Sequence, residues 1–305
     1  MNPEFVFPVG TQVVTEIDIT GTNGEILFTR GAVGVIVKSP LDNQHTYRVR
    51  FPNDYEAVLK HGHFTVRSQH QGAGLRQGGA AAHNLFDFVI YRCVVGSRAY
   101  GLADDNSDTD RRGIYLPPAD LQWSLAGVPE QLDNPKGEEH YWELEKFIVL
   151  ALKANPNVLE CLYTPLVEMT TPLADELLDM RSIFVSKLIY QTYNGYVLSQ
   201  FKKLNKDIQN YGTMRWKHAM HLIRLLLAGI VILDEGYVPV LVQNHREDLL
   251  AIRRGEMTWD AINAWRLQLH EKFDHAFKRT QLPERPNYEA ANTFLIKARR
   301  KMVSN

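Results

Sequence analysis

Residues 86–116 constrain the fold more than any other stretch of this chain. Phe86-Asp87-Phe88-Val89-Ile90-Tyr91-Arg92-Cys93-Val94-Val95 is a largely apolar run rich in β-formers, suited to one buried strand. It stops at Gly96-Ser97, a small-residue turn where backbone amides and one hydroxyl can reach phosphate oxygens. Asp108-Thr109-Asp110 follows after a polar loop, and Gly113-Ile114-Tyr115-Leu116 reads as the next strand, halted by Pro117-Pro118. The pattern is strand, turn, acidic pair, strand, and the rest of the chain has to pack around it.

Upstream, residues 9–67 read as all β. Thr11-Gln12-Val13-Val14, Gly34-Val35-Ile36-Val37-Lys38 and Thr46-Tyr47-Arg48-Val49-Arg50-Phe51 are short β-branched or aromatic runs separated by turn residues. A small barrel is their natural closure, and the pattern resembles SH3-like barrels in architecture. Ser68 to Ala82 is Gly-, Gln- and Ala-rich without periodicity, as a flexible linker is. Downstream, Glu138 to Trp142 reads as a short strand feeding a helix from Glu143 to Lys153. Helical patterns dominate after Asn155-Pro156-Asn157. The helix from Met214 to Asp234 carries one apolar stripe, Trp216, Met220, Ile223, Leu227 and Ile230, and a polar line of Lys217, His221 and Arg224 at i, i+4 and i+7. Gly236 ends it. The segment from Pro117 through Gly137 is polar and rich in turn residues.

The expected class is α+β. Its parts are an SH3-like barrel over 1–68, a linker over 69–82, a sheet domain over 83–170 and a helical domain over 171–305. At 305 residues, 45% hydrophobic, the chain can bury a sizeable core. Lys plus Arg (34) nearly balances Asp plus Glu (35), so any polyanion would meet a local patch, not a global field. Cys93 and Cys161 lie in apolar surroundings and suit buried thiols in a reducing cytoplasm. The amino terminus lacks the pattern of a signal peptide, and the run from Leu225 to Leu233 is short for a bilayer. No membrane partner is expected.

Side chains two apart in an extended segment point the same way, so Asp108 and Asp110 can share hard cations. Mg²⁺ favours one or two carboxylates together with phosphate oxygens and water, which suits a metal-nucleotide beside the Gly-Ser turn. A phosphatase with an aspartyl nucleophile would want its first Asp at the end of the apolar strand, where Gly96-Ser97 stands instead. A glycosyltransferase would want an α/β nucleotide-binding unit upstream, where only the β-rich segment and the linker occur.

Gly96-Ser97 followed by Ser107-Asp108-Thr109-Asp110 resembles the signature of the DNA polymerase β nucleotidyltransferase superfamily. With Arg98-Ala99-Tyr100-Gly101-Leu102, Arg111-Arg112-Gly113, Asn155-Pro156-Asn157-Val158-Leu159-Glu160 and Lys217-His218 to Arg224, the resemblance is closer to its RNA-ligase-associated branch. It covers the chain from about His83 onward. It implies a mixed sheet with flanking helices, completed by a helical domain, and Mg²⁺-dependent transfer of a nucleoside monophosphate from an NTP to a hydroxyl, foremost on an RNA end. Two Mg²⁺ ions are implied, with Mn²⁺ as a substitute. Asp108 and Asp110 would ligate them. A third carboxylate is needed from a neighbouring strand. Glu138 is the candidate, with Glu139 on the opposite face and Glu143 open to reading as a first-turn helix residue. Gly96, Ser97 and Arg98 would hold the nucleotide, and Lys217, His221 and Arg224 would close over it.

Arg111 and Arg112 are open to reading as phosphate contacts or as partners of the adjacent aspartates. Lys202, Lys203, Lys206 and Arg215 suggest a basic patch for an RNA backbone, with Tyr190, Tyr193, Tyr196 and Trp216 as stacking residues or core. Two alternatives remain: a protein or small-molecule acceptor, and a non-catalytic protein that clamps RNA or a partner.

Overall fold

The computed structural model describes residues 7–21, 24–40, 46–67, 84–105, 107–134, 137–211 and 214–303. The linker expected over 69–82 lies outside the described residues. The chain divides into two compact units, Met1–His83 with Trp123–Val128, and Asn84–Gln122 with Pro129–Asn305.

The first unit is built from β1 (Gln12–Thr15), β2 (Ile19–Thr20), β3 (Ile26–Phe28), β4 (Val33–Lys38), β5 (Tyr47–Arg50), β6 (Glu56–Leu59) and β7 (Phe64–Val66). Five strands form one antiparallel sheet in the order β6-β5-β4-β1-β7, and β2 pairs with β3. Alternation decides its faces: Tyr47 and Val49 are buried with Val13, Ile36, Leu59 and Phe64, while Arg48 and Arg50 stay exposed and meet Glu56 on the neighbouring strand. Gly34 lets β5 come close, because a Cβ there would stand 2.5 Å from Val49 Cγ1.

The second unit opens with β8 (Val89–Val94), a one-turn helix α1 (Gly96–Ala99), β9 (Arg111–Tyr115) and α2 (Ala119–Trp123). β10 (Gln131–Asn134), β11 (Glu139–Glu143), α3 (Leu144–Leu152), α4 (Pro156–Tyr163) and β12 (Val167–Thr170) follow. The mixed sheet has the order β10-β11-β9-β8-β12, with β11 parallel to β9 and every other pair antiparallel. The region expected to be turns before Gly137 therefore contains a short helix and an edge strand. Only Leu132 of β10 is buried, so no alternating apolar pattern announced the strand; pairing with β11 holds it. β12 is mostly exposed and is held in the same way by β8.

The remaining elements are helical: α5 (Pro172–Asp179), α6 (Leu188–Tyr211), α7 (Trp216–Glu235), α8 (Arg246–Arg253), α9 (Trp259–Arg279) and α10 (Tyr288–Lys301). Asn155 caps α4 by accepting from Asn157 N (3.0 Å) and Val158 N (3.4 Å) while Pro156 takes the first turn. Gly236 ends α7 at φ +75°. α7 is long and apolar enough to cross a membrane by length and composition, but it runs through the protein interior: Leu222, Ile223, Leu225, Leu226 and Ile232 are fully buried. α9 packs closely on it at Gly229, where a Cβ would meet Phe273 at 2.9 Å.

Candidate active site

The strand directions bring three strand ends to one edge of the mixed sheet. β8 ends there because β9 runs back antiparallel, and β11 starts there because it parallels β9. Two backbone hydrogen bonds extend the ladders past their formal ends: Val95 N donates to Asp110 O at 3.0 Å, and Arg111 N donates to Glu138 O at 3.0 Å. Gly96, Asp110 and Glu138 are thus backbone neighbours.

Gly96 sits at φ +71°, and a Cβ added there would lie 2.6 Å from Asp110 Oδ2. Both facts favour glycine, and the second shows that the Asp110 carboxylate packs directly against the Gly-Ser turn. Asp108 and Asp110 are exposed, and their carboxylates carry no ion pair among the described residues. Arg98 donates to Ser107 O (2.7 Å) and Asp108 O (3.3 Å), clamping the acidic loop to α1. It positions the loop while its side chain stays exposed beside the Gly-Ser turn.

Two arginines that sequence reasoning missed pin the same loop from α8. Arg253 pairs with Asp104 (2.6 Å) and donates to Leu102 O, and Arg246 donates to Gly101 O at 3.0 Å. Ser107 Oγ closes the loop on Asp104 Oδ1 at 2.8 Å. No local pattern links residues so far apart in the chain.

Three glutamates compete for the third acid. Glu143 is buried, caps α3 by accepting from Glu145 N, and pairs with Arg299 at 3.1 Å; burial pushes its carboxyl pKa up against the pull of Arg299. Glu139 faces the other side of the sheet, 4.0 Å from Arg92 and accepting from Asn134 Nδ2 at 3.0 Å. Glu138 is exposed at the site edge, held at φ +52°, a left-handed conformation uncommon outside glycine. Among the described residues no three His, Cys, Asp or Glu side chains already gather as a metal cage. The Asp110 carboxylate packed against Gly96 and the exposed Asp108 carboxylate two residues earlier nonetheless suit Mg²⁺, which takes one or two carboxylates and fills the rest of its sphere with phosphate oxygens and water.

The neighbouring arginines separate by face. Arg111 pairs with Glu168 at 2.8 Å on the side away from the acidic pair, so it neutralises neither aspartate. Arg112 lies on the other side with its guanidinium 5.8 Å from the Trp142 ring, and no carboxylate partners it among the described residues. His140, beside it in the ladder, bonds Asp133 at 2.6 Å; burial, more than that carboxylate can offset, lowers its pKa.

Behind the turn is a buried charge cluster. Tyr100 donates to Glu160 Oε2 and Arg224 Nη2 to Glu160 Oε1, both at 2.6 Å, and the Arg224 guanidinium lies 3.6 Å over the Tyr100 ring. Burial and then Glu160 push the Tyr100 pKa up. This corrects the expected position of Arg224: its side chain is 2% exposed and faces Glu160, not an open nucleotide face. His221 is half-buried 3.4 Å from Arg224 Nη2, and burial first, then Arg224, hold its pKa well below the usual value. Lys217, one turn earlier, is exposed. Glu160 was visible in the sequence only as the end of Asn155-Pro156-Asn157-Val158-Leu159-Glu160, with no role attached.

A family model described as "RNA repair pathway DNA polymerase beta family" (RlaP) matches residues 69–297. The chain is also 26% identical over 154 residues to the uncharacterized protein YcgL of Bacillus subtilis (strain 168). That match covers 50% of this chain and 58% of the relative.

Proposed function

Because the chain belongs to the RNA repair pathway DNA polymerase beta family, we propose that it is a Mg²⁺-dependent nucleotidyltransferase that moves a nucleoside monophosphate from an NTP to a hydroxyl on an RNA end. The observation that carries this reading is the close approach of the Asp110 carboxylate to the Gly-Ser turn, 2.6 Å from where a Cβ on Gly96 would stand. Phosphates approach the backbone there, with the Ser97 hydroxyl beside them. Asp108, Asp110 and Glu138 hold the metal ions, which when bound neutralise the charge on the reacting phosphate and lower the acceptor's pKa.

The residues position the reaction and add no covalent step of their own. The acceptor oxygen bonds to the α-phosphorus, the bond from that phosphorus to the bridging oxygen breaks, and pyrophosphate leaves. The hydroxyl proton passes to the Glu138 carboxylate. Arg112, with no acid of its own, supplies counter-charge to the nucleotide, and Lys217 does so from α7. The buried thiols Cys93 and Cys161 suit a reducing, cytoplasmic setting.

Incubating the full chain with Mg²⁺, each of the four α-phosphate-labelled NTPs and RNA bearing free hydroxyl ends tests the reading. Label is expected on the RNA, with pyrophosphate released, and is expected to vanish in Asp108→Ala with Asp110→Ala. Label that persists in that double variant, or appears only on protein or a small molecule, overturns the RNA-end assignment or the site.

A further inference from the structure

One surface of the helical region carries chemistry that the transfer site leaves unused. On α6, Leu198, Phe201, Lys202 and Asn205 fall at i, i+3, i+4 and i+7, and on α9, Trp259, Asn263 and Arg266 fall at i, i+4 and i+7. Each set is a single helix face. The two faces enclose a groove of about 360 Å³. Its floor is aromatic, with the buried Phe201 ring 5.8 Å from that of half-buried Trp259. Its wall is cationic. The Arg266 guanidinium lies 5.3 Å from the Phe201 ring, and its Nε donates to Asn263 Oδ1 at 3.0 Å.

Arg266 differs from several arginines of the neighbouring helices. Arg253, Arg254 and Arg279 each meet a carboxylate at 2.6 Å. Arg266 has none among the described residues; burial alone acts on its guanidinium and lowers its pKa, with no acid raising it. Lys202 is exposed at the same groove, and no Asp or Glu lines it. A half-desolvated cation without a counter-ion favours an anion. A half-buried indole beside it favours a flat ring, and the carboxamides of Asn205 and Asn263 can pair with the edge of such a ring. An acidic peptide would use the cations and leave the aromatic platform idle. Gln200 Oε1 stands 3.2 Å from His218 Nε2, so this end of α6 packs against the first turn of α7, next to Lys217.

We propose that the groove between α6 and α9 holds an unpaired nucleotide of single-stranded RNA, its base stacked on Trp259 and its phosphate against Arg266 and Lys202. The inference rests on the RNA-acceptor reading above and gives that acceptor a second point of attachment beyond its reacting end. Fluorescence anisotropy of the full chain with a labelled single-stranded oligoribonucleotide of about ten nucleotides reads it directly. Trp259→Ala is expected to weaken binding about ten-fold or more. Arg266→Gln is expected to weaken it too and to lower the slope of log affinity against log salt by about one. Trp259→Leu, which keeps apolar bulk at the helix start, gives the same loss if the alanine variant fails to fold. Unchanged RNA affinity in Arg266→Gln and Trp259→Leu overturns the inference, as does equally tight binding of duplex RNA or of DNA of the same sequence. Mg²⁺-ATP binding by calorimetry in the same variants separates the two readings. RNA binding lost with Mg²⁺-ATP binding intact assigns the groove to the acceptor. RNA affinity unchanged beside normal label transfer removes the groove and leaves the transfer site standing.

Discussion

At Gly96 two requirements coincide: φ +71° and a Cβ position 2.6 Å from Asp110 Oδ2. Gly96→Ala therefore pays twice, in backbone strain and in pushing the acidic carboxylate aside. Label transfer is expected to fall by about a hundred-fold, the scale at which misplacement near 1 Å acts on an aligned reaction. Thermal unfolding is expected to drop only modestly, since the strain at one turn costs about 1–3 kcal/mol. Transfer close to wild type would mean that phosphate does not enter at this turn. The sequence marked this position as a Gly-Ser turn ahead of an acidic pair. The contact itself needed the β8–β9 register, which no local pattern encodes. Glu138 shows the reverse case. Its place at a strand start was legible, but its separation from Glu139 and Glu143 came from their partners Arg92 and Arg299 on other elements.

Among the elements, α7 departs most from its sequence reading. Its Lys217, His221 and Arg224 line looked like one polar face. In the structure it runs from an exposed residue to a fully interior ion pair, because α4 places Glu160 opposite its middle. The pair joins α7 to α4, and through Tyr100 to the Gly-Ser turn. Breaking it from one side leaves an uncompensated buried charge, so Glu160→Gln or Arg224→Met is expected to destabilise by about 3–5 kcal/mol. Glu160→Leu with Arg224→Met is expected to recover much of that, because no charge is then stranded. Urea denaturation of the four proteins checks the order, and a double variant as weak as the singles would show that the pair acts chiefly through packing. The aromatics of α6 and α9 also sort by context. Tyr193 is core, at 1% exposure, and Tyr190 stacks on Phe277 at 4.2 Å, whereas Phe201 and Trp259, not singled out by spacing, line the groove.

On the scale of the whole molecule, two hydrophobic cores share no buried residue, one around Val13, Ile36, Tyr47 and Val49, the other running from Tyr91 to Ala298. Separate cores make a single two-state unfolding transition an unsafe description. Calorimetry is expected to show two components. Val49→Ala should move only that of the first unit and Leu222→Ala only that of the second, each by roughly 2–5 kcal/mol of lost stability for the leucine and somewhat less for the valine. One component shifted equally by both substitutions would show that the units unfold together.

What the sequence by itself determined is what repeats locally. β-branched alternation specified the amino-terminal strands, the 3.6-residue apolar period specified the helices, and Asn155-Pro156 and Gly236 marked ends of two of them. The Gly-Ser turn and the Asp108-Asp110 pair belong here as well, since their spacing is their signal. Tertiary structure alone decided which charges meet. Arg111 was assigned to Glu168, Arg224 to Glu160 and Arg253 to Asp104, and β10 and β12 became strands only through their neighbours. The physical reason is range: backbone preference acts over a few residues, whereas a charge finds its partner, and an edge strand its ladder, only after the chain has closed on itself.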